Sequence, residues 1–502
     1  MNIPLVIRTV SHLKMTQVYY QVRKRFVKPR FESKLAPIGQ RGRKSVECIP
    51  KYRCWDGKEF TFLNLRATFK GWNDDAFGAL WCYNLNYMDW LGQEGLDAKD
   101  GLFWIDRFIA GIPTTCMGLD PYPIALRSIN WIKFFLTYPE SVNDDRENSL
   151  YSQLKLLEKK LEYHLLGNHL LEDAYALYIG AVYFNDGILL KRAQKLLYSQ
   201  LKEQILGDGA HFEQSPMYHC ILLDRLLDCI NFRKTVYLCD VAEKMLGHLE
   251  SIIWEDKSIP LFNDAAYGIA PQPIQLFDYA KRLGLNWRAV PLGQSGYRRL
   301  TGNGFEAVVD VGEMTAKYQP GHSQADTFSY ELRIDGQPMI IDTGISTYNK
   351  TERRQYERST VAHNTVSVDE RNSSEVWGGF RVGRQARVDV QIDEKKHIVA
   401  AHNGFGSIEH MREFVINENQ FSIIDKMSKL VEAVNYIHLA PGVTVLENDG
   451  QTLLTNKCRI VFDNALSIKA DSVEVSSEYN KFNEVCLLKV TFKGQMSYRI
   501  EK

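Results

Sequence analysis

Gly321-His322-Ser323-Gln324-Ala325-Asp326 runs on through Thr327-Phe328-Ser329-Tyr330-Glu331-Leu332-Arg333-Ile334 into Asp335-Gly336. Phe328, Tyr330, Leu332 and Ile334 alternate with polar or small residues, which is the period of a strand with one buried face. Asp335-Gly336 tolerates the positive φ of a tight turn, so a hairpin should return through Met339-Ile340-Ile341. The same texture recurs in Ala307-Val308-Val309-Asp310-Val311, Val366-Ser367-Val368, Arg387 to Ile392 and Phe421 to Asp425. From about Gly293 onward the chain therefore reads as antiparallel β, layered as a sandwich. His322 falls at the mouth of its strand. Only histidine titrates near neutral pH unaided, so this one is an acid/base candidate.

Upstream, from about residue 72 to 290, the period changes to that of helices. Leu154, Leu157, Leu161 and Leu165 recur at i, i+3, i+7 and i+11, with Glu158, Lys159 and Lys160 on the other side. Leu222, Leu226 and Ile230 repeat the pattern after Tyr218. Breakers at Gly167-Asn168, Asn185-Asp186-Gly187 and Gly207-Asp208-Gly209 divide the helices into hairpins packed side by side. Trp81, Tyr83, Tyr87, Trp90, Trp104 and Trp131 crowd the early part, as a core or as a platform for sugar faces. The predicted class is α+β: a basic N-terminal arm and lead-in over 1–70, a helical domain over 71–293 and a β domain over 294–502. No solenoid repeat or low-complexity segment interrupts it.

Composition narrows the function. The 502 residues balance 61 Lys plus Arg against 61 Asp plus Glu, which removes the bulk electrostatic case for nucleic acid. An acidic ligand must be met locally. The arm carries Arg8, Lys14, Arg23, Lys24, Arg25, Lys28 and Arg30, while its apolar run Ile3–Ile7 is too short for a signal-peptide core. No stretch approaches the roughly 20 apolar residues of a spanning helix. A cytoplasmic location is expected, with the periplasm as the alternative. Nine cysteines without a CxxC pair read as reduced thiols. A GxSxG elbow, a P-loop, GxGxxG and HExxH are all missing, which removes the main hydrolase, nucleotidase, dehydrogenase and zinc-protease readings.

Three polar clusters remain. Asn168 stands at a helix start, where it either caps the helix or faces a ligand. His169 and Glu172 lie i, i+3, so Glu172 is expected to orient the imidazole. Asp208 to His219 brings Glu213, Tyr218 and His219 to a helix entrance, where the positive helix end should lower the Tyr218 phenol pKa; a simple cross-helix hydrogen bond is the other reading. Asp342 and His363 are candidate metal ligands, two of the four donors that zinc requires.

In this order, Gly167-Asn168-His169-Leu170-Leu171-Glu172, Asp208 to His219, Phe262-Asn263-Asp264-Ala265, Gly321 to Asp326 and Arg358 to Val366 resemble the heparinase II/III family of polysaccharide lyases. The blocks Leu119 to Pro123 with Arg127 and Asn130-Trp131, and Glu375 to Arg381, are similar to it too. The resemblance implies an incomplete (α/α) toroid followed by an antiparallel β-sandwich, and β-elimination at a uronic acid of an acidic polysaccharide. It implies that Asn168 and His169 meet the carboxylate, and that Tyr218 and His322 share the proton transfers. Glu172, Glu213, Arg127, Trp131, Tyr348 and Arg358 would support them or bind substrate. No cofactor is required. Some members hold a structural zinc through a histidine where this chain has Gln324, together with the positions of Asp342 and His363. The N-terminal opening resembles a subset associated with capsule or lipopolysaccharide assembly. A glycoside hydrolase using two carboxylates among Glu172, Glu213 and Asp264 is the competing enzyme. A silent glycan-binding protein is the competing non-enzyme.

Overall fold

Helices in this protein begin where a short polar side chain can take up free amides. Asp97, Asn143, Asp186, Ser215 and Thr235 each accept from the first turn of the helix that follows. The computed structural model describes residues 3–40, 43 and 47–502. Helices Pro121–Thr137, Asp144–Lys160, Gly167–Tyr183, Gly187–Gln204, Pro216–Phe232 and Val236–Ile252 are each 17 or 18 residues long, so neighbours cover one another over their whole length. Their core is aromatic at one end. Trp104 makes edge contacts with Trp55, Phe60, Phe69, Trp72 and Trp90. Trp81, Trp90, Trp104 and Trp131 are all buried there, as the core reading of that stripe requires.

Two expectations are corrected. The leucine helix ends at Lys160, and Leu161 and Leu165 lie beyond it. The Glu162 amide donates to Asp173 Oδ2 at 2.8 Å, which draws the chain out of its helix and turns Glu162 toward the next one. The strand expected from Thr327 begins only at Tyr330, and all five residues of Tyr330–Ile334 are buried, so both faces are covered. Phe328, at φ 69°, breaks the strand there and leaves His322 in a loop.

The second half is antiparallel throughout its named strands. Tyr297–Thr301, Phe305–Asp310, Tyr330–Ile334 and Gln337–Ile340 form one sheet, with Asp335 and Gly336 both at positive φ in the hairpin. Val376–Trp377 and Arg381–Val382 pair as a small separate hairpin, and the other strands form a ten-stranded sheet that shares one apolar core with the first. Its longest element is the hairpin Arg459–Glu478 with Lys481–Glu501. The tip of that hairpin reaches the helical half: Tyr267 N–H donates to the Ser477 carbonyl at 2.7 Å, and Asn480 Nδ2 donates to the Leu63 carbonyl at 2.8 Å. Among the described residues no cysteine forms a disulfide. Among the described residues no helix is long and apolar enough to cross a membrane.

Asp425 is the polar anchor of the sheet core. It accepts from Arg412 Nε and Nη2 at 2.7 and 2.9 Å, from Asn435 at 2.8 Å, and pairs with His410 at 2.7 Å. Arg412 Nη1 in turn donates to the Phe328 and Asn364 carbonyls, fixing the end of the loop that carries His322 and the turn at Asn364. Asp425→Asn leaves a buried guanidinium uncompensated and should cost about 3–5 kcal/mol of stability in a denaturation experiment. Burial alone would raise the Asp425 carboxyl, but Arg412 and His410 depress it from 3.8 to about 2. A depressed acid stabilises above its unfolded pKa, so this contribution should vanish as pH falls from about 4 through 2, and Asp425→Asn should flatten that limb.

Candidate active site

A cavity of about 2140 Å³ opens between the helical and sheet halves. Asn168, His169 and Tyr218 line it from the helices, and His322, Tyr348 and Phe380 from the sheet side. The four residues expected to act therefore meet in one cleft.

Asn168 is the second residue of its helix and does not cap it. It donates instead: its backbone N–H reaches Glu213 Oε1 at 2.8 Å, and Nδ2 reaches Oε1 and Oε2 at 3.1 and 3.0 Å. Glu213 thus fixes the plane of the amide. Gly167 must be glycine for this, because it sits at φ +58° and a Cβ there would lie 2.5 Å from Glu213 Oε1.

His169 is oriented by Glu162, not by Glu172. Helical side chains tilt toward the N-terminus, so the ring aims at the turn before the helix, where Glu162 Oε2 lies 3.0 Å from Nδ1. Burial alone would lower its pKa, yet Glu162, with Glu213 and Glu172 farther off, raises the imidazole above its usual value. Glu172 lies outside the cavity lining, fully buried, its carboxylate 3.9 Å from Arg225 Nε. Burial pushes that carboxyl up to about 7, against the pull of Arg225.

Tyr218 occupies the first turn of Pro216–Phe232, which Ser215 caps. The helix end does not lower its phenol. Burial raises it strongly, only partly offset by the Tyr348 hydroxyl, which donates to Tyr218 at 3.3 Å. The Tyr218 ring lies over the His322 ring with centroids 3.9 Å apart. His322 Nδ1 sits 2.9 Å from Asp264 Oδ2 and 3.3 Å from the Tyr348 hydroxyl, while Nε2 faces Glu213 Oε2 at 3.6 Å.

Asp264 organises this half. Arg354 Nη1 and Nη2 donate to its two oxygens at 2.6 Å each, and Gln324 Nε2 donates to Oδ1 at 2.8 Å. Burial would raise the Asp264 carboxyl, but Arg354 and His322 hold it well below the carboxylate range. An anion there must accept, so Nδ1 of His322 carries hydrogen and Nε2 is the basic nitrogen.

Three expected substrate contacts fall elsewhere. Arg127 is fully buried, donating to Gln153, the Asn86 carbonyl and the Gly118 carbonyl, and so serves the helical core. Trp131 is equally buried beside Met88. Arg358 donates to the Ser323 carbonyl at 2.9 Å, which holds the His322 loop from behind. Sequence reasoning missed Glu162 and Arg354. The first sits in an irregular turn; the second, in Glu352-Arg353-Arg354, has the look of solvated charge.

The positions that would hold zinc are Gln324, Asp342 and His363. His363 Nδ1 and Asp342 Oδ2 pair at 2.9 Å, and Gln324 spends its amide nitrogen on Asp264. Among the described residues no group of three His, Cys, Asp or Glu side chains converges. Two donors fall short of a zinc site, so the residues present do not fit the ion.

Two family models match the chain: Heparinase II/III N-terminus over residues 129–274, and Heparinase II/III-like, C-terminal over 285–499. The chain belongs to the heparinase II/III-like family. Among curated relatives of this heparinase II/III-like chain, a heparin-sulfate lyase of Pedobacter heparinus is 25% identical over 397 residues, covering 70% of this chain and 56% of the relative. A heparin-sulfate lyase of Bacteroides stercoris is 24% identical over 301 residues, covering 53% and 44%. The chain spans about half the length of these curated relatives. The fold is shared with a crystal structure of heparinase III, at TM-score 0.64, 15% identity and 83% and 76% coverage of the two chains. It is shared too with a Streptomyces coelicolor A3 chondroitin AC lyase, at TM-score 0.53, 11% identity and 87% and 76% coverage.

Two outcomes are expected. A strong chelator should leave the melting temperature unchanged, and added zinc should not raise it. Asp264→Asn should release the His322 ring and leave the buried Arg354 without its counter-charge, costing about 3–5 kcal/mol of stability in a denaturation experiment.

Proposed function

We propose that this protein is a polysaccharide lyase that cleaves a uronic-acid-containing glycan by β-elimination, in a cleft where an incomplete (α/α) toroid meets a β-sandwich. The observation that carries the reading is the convergence of Asn168, His169, Tyr218 and His322 on one cavity. The names of the relatives, heparin-sulfate and chondroitin AC lyases, point to the same class of acidic substrate.

The chemistry follows from the residues. The C5 proton of a uronate is only weakly acidic, because its loss puts further charge beside a carboxylate. An imidazolium at His169 and the fixed amide of Asn168 would offset that charge as it develops. Nε2 of His322 accepts the C5 proton. The C5–H pair becomes the C4=C5 double bond, and the C4–O bond breaks. Tyr218, whose phenol stays protonated in this buried site, gives its proton to the departing oxygen. The hydrolase alternative is weaker on physical grounds. Asp264 is locked by Arg354, Glu213 is committed to Asn168, and Glu172 stands outside the cavity lining.

Incubation with acidic polysaccharides should produce the ultraviolet absorbance of a conjugated unsaturated uronate. Tyr218→Phe and His322→Ala should each reduce that rate on the order of 10²–10⁴-fold. Full activity in both variants, or products without a double bond, would reject the assignment. The raised His169 imidazole predicts a pH signature as well. A raised base is charged below its folded pKa and neutral above it, so KM should rise as pH climbs through that value. His169→Gln should abolish this limb.

A further inference from the structure

Helices Ile3–Ser11 and Met15–Phe26 lie outside the chemistry above, and the second is built inside out. Its buried residue is polar: Gln17 is 2% exposed and donates to the Leu165 and Tyr318 carbonyls at 3.1 and 3.2 Å. Four of its apolar residues face solvent, while Val18 and Tyr20 are half-buried. Met15, Tyr19, Val22 and Phe26 are 80, 62, 51 and 81% exposed, and their spacing of i, i+4, i+7 and i+11 puts them on one face. Ile3 and Ile7 of the preceding helix are exposed to a similar degree. A contiguous apolar face without a protein partner marks an interaction surface.

Charge says which kind. Between residues 3 and 31 the sequence holds Arg8, Lys14, Arg23, Lys24, Arg25, Lys28 and Arg30 and no acid, in a chain whose totals balance. Arg8 is spent on Glu375 and Lys14 on Glu203, contacts that pin the two helices to both halves of the protein. Arg25, Lys28 and Arg30 are exposed and form no ion pair among the described residues. The local excess of positive charge therefore flanks the apolar face.

We propose that helix Met15–Phe26 is a docking surface for an anionic lipid bilayer, lying in the interface with Tyr19, Val22 and Phe26 among the acyl chains and Arg25, Lys28 and Arg30 on the headgroups. A cationic helix with one apolar face has the makeup of an interfacial anchor. A polyanionic glycan would satisfy the cations but give Met15, Val22 and Phe26 nothing to bury against, so lipid fits both halves of the pattern. Val10, Leu13, Gln17 and Gln21 line the cavity, so docking holds the mouth of the cleft beside the membrane surface.

The test is co-sedimentation of the full chain with vesicles of phosphatidylglycerol mixed with phosphatidylcholine, against phosphatidylcholine alone. Binding to the anionic vesicles only is expected. Arg25→Gln with Lys28→Gln and Arg30→Gln should weaken it on the order of fivefold per cation removed. Tyr19→Ser with Val22→Ser and Phe26→Ser should weaken it on the order of tenfold or more, with the melting temperature unchanged. A wild-type protein that ignores anionic vesicles overturns the proposal. So does an apolar triple variant that still sediments like the wild type, an outcome that would make the contact one of charge alone.

Discussion

The site depends on one buried carboxylate. Asp264 accepts from both guanidinium nitrogens of Arg354, from Gln324 and from His322, while its backbone works in the opposite direction. The Asp264 N–H donates to the His322 carbonyl, and the Asp264 carbonyl accepts from Ser215, the residue that caps the helix carrying Tyr218. A single residue between the halves thus sets where the phenol starts and which way the imidazole faces. The ion pair with Arg354 keeps it ionised in a place where an unpaired charge would not survive.

The same device recurs around the cleft. His169 is backed by Glu162, Asn168 by Glu213 and His322 by Asp264. Each of these three acids is buried behind the group it holds and orients it, while Glu47, Asp89, Glu94, Asp224 and Glu478 take places in the wider cavity wall. Around Asn168, His169 and His322 the cavity therefore presents amide and imidazole groups, with the acids that hold them set one layer back. This division also explains why the phenol is kept protonated: Asp264 and Glu213 both oppose its ionisation once burial has raised it.

Much of this was legible in the order of the residues. Periodicity divided the chain into helices and antiparallel strands, and Asp335-Gly336 turned where a tight hairpin must. Asn168, His169, Tyr218 and His322 could be singled out because their blocks resemble those of the heparinase II/III family. Their partners could not. Glu162 orients His169 only because Asp173, eleven residues on, pulls its backbone out of the helix. Arg354 reaches Asp264 across ninety positions. Arg127 and Trp131 misled in the opposite way, since a buried arginine that satisfies carbonyls looks in sequence like one that awaits a ligand. Short-range pattern reports the element; only tertiary closure reports the partner.

The hairpin Arg459–Glu478 and Lys481–Glu501 carries Tyr479 near its tip, and Tyr479 forms part of the cavity wall, its ring 5.6 Å from that of Tyr348. Tyr218 and His322 leave the ribosome long before that tip does. A nascent chain can therefore assemble its helices early and still lack a finished cleft, because Tyr479 follows the other wall residues in the chain. Synthesis order acts as a safety catch, withholding a completed pocket until the sheet half has emerged to close it.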